Sequence, residues 1–163
     1  MVGMTVIRSG ILLVSLLFAH SLALAAEQPA LTWSDRVTVE QESGDLVDTP
    51  PIVQVGEISL SRFSQMQSVT LQETLKVDAY DGPETVYVFK VWQGGASQGE
   101  QLMLVTLSQQ GLDILGPHET DFETLKVIPS EGNAGPVFEL FRADTASPLV
   151  RLEYFTGQLI ELN

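Results

Sequence analysis

Apolar positions along this chain first run together and later alternate. The clearest alternation starts at Ser68, where Val69, Leu71, Leu75, Val77 and Ala79 share one parity. A period of two predicts a half-buried β-strand. Tyr80 to Glu84 is turn chemistry, with Asp81-Gly82 its strongest element. The next run, TVYVFKVWQ from Thr85, places Tyr87, Phe89 and Val91 on one face. GGASQGE then reads as a loop. Gln101 to Ser108 (QLMLVTLS) is apolar at both parities, the pattern of a strand covered on both faces. Gln109-Gln110-Gly111 turns the chain into Leu112–Leu115, and the whole predicts an antiparallel meander.

The flanks are less regular. Phe122 to Ile128 fits either a short strand or a turn of helix. Val137–Arg142, Leu149–Phe155 and Gln158–Leu162 read as strands, with Val150, Leu152 and Tyr154 facing one way and Arg151 and Glu153 the other. Upstream, Leu31–Trp33 and Arg36–Val39 are expected to pair. EQESGDLVDTPP, residues 40–51, is expected to be an acidic loop, since Pro-Pro cannot continue a ladder. Between Ile52 and Phe63 the phase changes at Gly56, predicting a bend, and the spacing of Leu60, Phe63 and Met66 predicts one short helical turn. No long segment shows a 3.6-residue period. The fold class is all-β, or β-rich α+β: an antiparallel meander forming a half-barrel, barrel or sandwich, with at most one or two short helices.

An apolar run of another kind, broken only by Ser15, His20 and Ser21, lies near the start of the chain. It extends from Ile11 to about Ala26, follows Arg8, and ends Ala23-Leu24-Ala25. A positive start, an apolar middle and a small-x-small end predict a cleaved secretory signal peptide over residues 1–25. At about 16 residues the run is short for a membrane span, and no transmembrane segment is expected after cleavage. Residues 26–51 then form an N-terminal strand and an acidic, proline-ended linker, and 52–163 a single β-rich domain. The expected location is periplasmic, or secreted. The chain has no cysteine, so stability must come from burial rather than disulfides.

Cleavage would leave seven Lys and Arg against all 21 Asp and Glu, a net charge of −14. Such a chain is not expected to bind nucleic acid, whose phosphates need basic contacts. Nor is it expected to dock on anionic lipid by charge.

Candidate chemistry is sparse. Gly95-Ala-Ser97-Gln-Gly99 matches G-x-S-x-G, but between two strands it lacks the helix that a nucleophile elbow needs. His118 stands alone after a Gly-Pro turn, and one histidine without cysteine is a poor zinc set. Asp78, Asp81 and Glu84 bracket one turn, and Glu119, Asp121 and Glu123 alternate in a loop. Neither has calcium-loop spacing, and both read as solvated carboxylates. No catalytic residue, metal ligand or cofactor is assigned. The large apolar stripes read first as core. Where a small sheet curves around a cavity they can also line it, and Tyr87, Phe89, Val91, Met103, Val105 and Leu107 are the candidate ligand-binding residues.

The stretch from Ser68 to Gly116, through VYVFKVWQ and LMLVTLSQQGLDILG, resembles the strand core of the LolA/LolB-like superfamily, L-x-L-x-x-L-S-x-x-G-x-x-L. The likeness covers about a third of the mature chain. It implies an unclosed antiparallel barrel that shelters lipid chains. The helices that plug that half-barrel are not evident here beyond Leu60–Met66, and the lipoprotein cysteine of its receptor-type members is absent. The expected function is an extracytoplasmic soluble binding protein for an apolar ligand, a lipid or a lipoprotein acyl chain. The alternative is a non-enzymatic adaptor or accessory subunit with an envelope protein partner. An enzyme ranks third, because no catalytic set is visible.

Overall fold

A computed structural model describes residues 29–132, 134–143 and 145–163. The predicted signal peptide lies outside them. The described chain is all-β, with four antiparallel sheets and one short helix, and none of the sheets closes into a barrel. Among the described residues no helix is long and apolar enough to cross a membrane.

The middle of the molecule is a four-stranded meander. Its strands are β6 (Ser68–Ala79), β7 (Gly82–Trp92), β8 (Gln101–Ser108) and β9 (Gly111–Leu115), paired in that order. Tyr80-Asp81 makes the first turn, between the paired Ala79 and Gly82, so that Gly82, Pro83 and Glu84 of the expected turn belong to β7. Gly82 has φ 120°, a region open to glycine and strained for side-chain-bearing residues. Alternation assigns each strand two inward faces. Phe89, Val91, Met103, Val105 and Leu107 belong to one core, and Val86, Val88, Leu102 and Leu104 to another. The sheet is therefore the shared wall of two hydrophobic cores, which explains why QLMLVTLS is apolar at both parities.

The first core is closed by the N-terminal layer. β1 (Leu31–Ser34), β4 (Ile52–Val55) and β5 (Ile58–Ser59) form a three-stranded sheet, and α1 (Ser61–Ser64) follows β5. Val53, Val55, Leu60, Phe63 and Met66 pack here against the central wall. The Phe63 and Phe89 rings meet at 4.9 Å between centroids, tilted by 59°, a favourable aromatic geometry. The helical turn expected from Leu60, Phe63 and Met66 is this α1 region.

The second core is closed by β10 (Thr124–Ile128), β11 (Val137–Phe141), β12 (Val150–Phe155) and β13 (Gln158–Glu161), again paired in chain order. Phe138, Leu140, Val150, Leu152 and Tyr154 face the wall. The opposite face is charged: Glu139 bonds both Lys126 on β10 and Arg151 on β12, each at 3.1 Å. Thr124–Ile128 is thus a strand, not a helical turn.

Three expectations are corrected. β1 pairs with β4 and not with Arg36–Val39. Residues 36–39 instead contribute β2 (Val37–Glu40), whose partner β3 (Leu46–Thr49) lies inside the segment expected to be a loop. A two-stranded ribbon buries no face, so its sequence need not alternate. Third, the one-parity stripe of β6 does not share one face. The register steps from Leu71↔Phe89 to Glu73↔Val88, leaving Gln72 as an extra residue. Such a bulge turns the strand over: Val69 and Leu71 join the first core, Leu75 and Val77 the second.

Candidate functional site

The six residues expected to line a ligand cavity come together, all on one face of the central wall. Phe89, Val91, Met103, Val105 and Leu107 are buried in the first core, with Tyr87 half-buried at its margin. Their neighbours there include Val53, Val55 and Phe63. Ser97 is exposed in the β7–β8 loop, between strands. His118 is half-buried, and its Nδ1 accepts a hydrogen bond from the Thr120 amide at 3.2 Å. Among the described residues, no three His, Cys, Asp or Glu gather closely enough to hold a metal ion.

Two other places carry more chemistry. The first is the β2–β3 ribbon, in which every residue is exposed. Register puts Val39 opposite Val47 and Val37 opposite Thr49, so these four side chains share a face. Leu46, across from Glu40 on the other face, is 70% exposed. Ordinary surface strands present polar residues to water, so a ribbon with this much apolar surface is unusual.

The root of the ribbon is held firmly. Asp35 Oδ1 accepts from the Val69 amide at 2.8 Å and from the Arg36 amide at 2.7 Å, while Oδ2 accepts from Ser68 Oγ at 3.0 Å. Arg36 donates to the carbonyls of Gln67 at 3.2 Å and Met66 at 2.9 Å, and it forms an ion pair with Asp48 of β3. Asp35 thus ties the ribbon to the start of β6, and Arg36 ties the start of β6 to β3.

The second place is a cleft of about 300 Å³ where the β6–β7 and β8–β9 turns meet the β12–β13 turn. Glu84 and Thr106 line it, with Asp81 and Asp113 on its rim and Thr156-Gly157 opposite. Glu84 is only 9% exposed. It stands two residues before Val86 on β7, so the strand period turns it into the second core's face rather than to solvent. Tyr154, 1% exposed, lies beside it. The Tyr154 hydroxyl is beside Glu84 and Thr106 but in full hydrogen-bond geometry with no described group. Burial raises the Tyr154 pKa well above the ordinary tyrosine range, and the adjacent Glu84 carboxylate raises it further. The phenol is therefore neutral at any physiological pH.

Sequence reasoning placed Glu84 among solvated turn carboxylates. A usable signal was present: positions 84, 86 and 88 share a parity, and Val86 and Val88 are core residues.

No family model matches the chain, and neither a curated protein nor a solved structure matches it significantly.

Proposed function

We propose that this protein is a non-enzymatic docking module of the cell envelope or the secreted space, which offers the β2–β3 ribbon to a partner protein. The carrying observation is the joint exposure of Val37, Val39, Val47 and Leu46 on a ribbon whose root is pinned by Asp35 and Arg36. A pinned apolar surface loses little conformational entropy on binding, which favours recognition. β2 and β3 pair only with each other among the described strands, so both ribbon edges are open to strand addition. The extracytoplasmic setting rests on the N-terminal sequence pattern, and the high negative charge favours a partner surface that is basic around an apolar centre.

The apolar-ligand reading draws on the size of Tyr87, Phe89, Val91, Met103, Val105 and Leu107 and on the superfamily resemblance. The packing of those residues against Val53, Val55 and Phe63 favours the docking reading.

The test is site-specific photo-crosslinking in the native host, with the photoreactive residue placed at Val39. A discrete crosslinked adduct is expected, lost in Val37→Glu/Val47→Glu protein of unchanged thermal stability. No adduct at Val39, or an adduct indifferent to the charge pair, would overturn the proposal. A fluorescent fatty acid that binds saturably, and is displaced by Val105→Trp in a folded protein, would return the reading to an apolar ligand.

A further inference from the structure

The Glu84 cleft lies at the β6–β7 turn, away from the ribbon, and its chemistry is independent of docking there. A carboxylate this deeply buried normally has a cationic partner, because desolvation disfavours an isolated charge. Glu84 is in no ion pair with a described residue. The nearest lysine in sequence register, Lys76, spends its ammonium on Thr85 Oγ1 at 2.6 Å. Among the described residues no Lys or Arg lines the cleft, while Asp81 and Asp113 add negative charge to it. Tyr154 is not among the residues lining the cleft; its hydroxyl lies beside Glu84 and Thr106 and, as a neutral phenol, brings no counter-charge. Among the described residues, the cleft thus offers Glu84 no cationic counter-charge.

We infer that this cleft receives one organic cation, an alkylammonium or alkylguanidinium group, with Glu84 as its counter-ion and Thr106 as an additional acceptor. A bare metal ion fits poorly, since among the described residues no three ligating side chains converge. A volume of about 300 Å³ suits a group of several heavy atoms. A cation with N–H donors can meet carboxylate and hydroxyl together, and charge-assisted hydrogen bonds are the stronger kind. The same group can arrive as a free small amine or as a basic side chain of another protein.

Titration calorimetry, with amide chemical shifts of Thr106 and Gly157 followed by NMR, tests this directly. The probes are n-butylammonium, n-butylguanidinium, neutral n-butanol, and a short Ala-rich peptide bearing one Lys or one Arg. At least one cationic probe is expected to saturate and shift both amides, while butanol does neither. Glu84→Gln should weaken binding by about tenfold or more, the usual effect of losing a charged hydrogen-bond partner. Glu57→Gln, in the exposed β4–β5 turn, should leave it unchanged. If Glu84→Gln proves unfolded, Asp113→Asn on the rim supplies the reading, with a smaller weakening expected. Tighter binding of the peptide than of the free amines identifies a protein side chain as the source, and the reverse identifies a small amine. Cations that bind no better than butanol, or binding equal in the wild-type, Glu84→Gln and Asp113→Asn proteins, would overturn the inference.

Discussion

Leu71 and Leu75 lie four residues apart on one strand, and they pack into different cores. Leu71 joins Phe89 and Val69 against the N-terminal layer, whereas Leu75 joins Val86 and Val77 against the C-terminal sheet. The unpaired Gln72 between them reverses the strand. Deleting Gln72 would restore an unbroken ladder in which Glu73 follows Leu71 directly, so that Leu75 stays opposite Val86, Val77 stays opposite Glu84, and both keep their face. The deletion is therefore expected to keep cooperative unfolding, and a loss of cooperativity would mean that the twist of the bulge itself is needed to close both cores. Because Gln72 is exposed, its alanine variant should stay within about 0.5 kcal/mol of wild type. Urea denaturation followed by circular dichroism measures both.

Leu104 is completely buried at the centre of β8, facing the second core. Leu104→Ala removes its packing and leaves a cavity, and should destabilise the protein by about 2–5 kcal/mol. Chemical denaturation gives the value. A loss under about 0.5 kcal/mol would mean the strand is not packed as described.

Asp35 accepts three hydrogen bonds at the foot of the ribbon, two of them from backbone amides. Asp35→Ala should cost about 1–3 kcal/mol, since it leaves the amide of the fully buried Val69 without its acceptor. The readout that separates anchoring from general stability is amide hydrogen exchange. Protection in β2 and β3 should fall before protection in β8 does.

Tyr154 links stability to alkaline pH. Its pKa is raised in the folded protein, by burial first and then by Glu84, while in the unfolded chain it returns to about 10. Above that pH the unfolded state releases a proton that the folded state retains, so stability falls as pH rises. The contribution is fully present below about pH 10 and is lost progressively above it. Tyr154→Phe should flatten the decline in thermal midpoint above pH 10. An unchanged slope would mean that Tyr154 ionises freely in the folded state.

Much of the architecture was readable from side-chain period alone. The meander, the approximate position of its turns, one residue late at Asp81-Gly82 and with Gly111 already in β9, and the double-sided burial of β8 come from alternation and turn chemistry. The period could not reveal the bulge, because Leu71 and Leu75 keep the same parity whether or not one residue between them is unpaired. The ribbon was hidden for another reason. With neither face buried, Leu46–Thr49 shows no inward stripe, and the following prolines suggested a loop. Glu84 was overlooked because Asp-Gly-Pro-Glu reads as surface turn, although its parity with Val86 and Val88 points inward.

The two-sided central sheet has a consequence for how the chain reaches this state. Undock the N-terminal layer, and Phe89, Met103 and Val105 become a flat oily panel; undock the C-terminal sheet, and Val86, Val88, Leu102 and Leu104 do the same. A half-assembled molecule is therefore an adhesive one, whichever half is missing. The nascent chain must lay down a cladding on each side before its middle is safe from its own copies, and assembly of the two sides is bound together by that shared exposure.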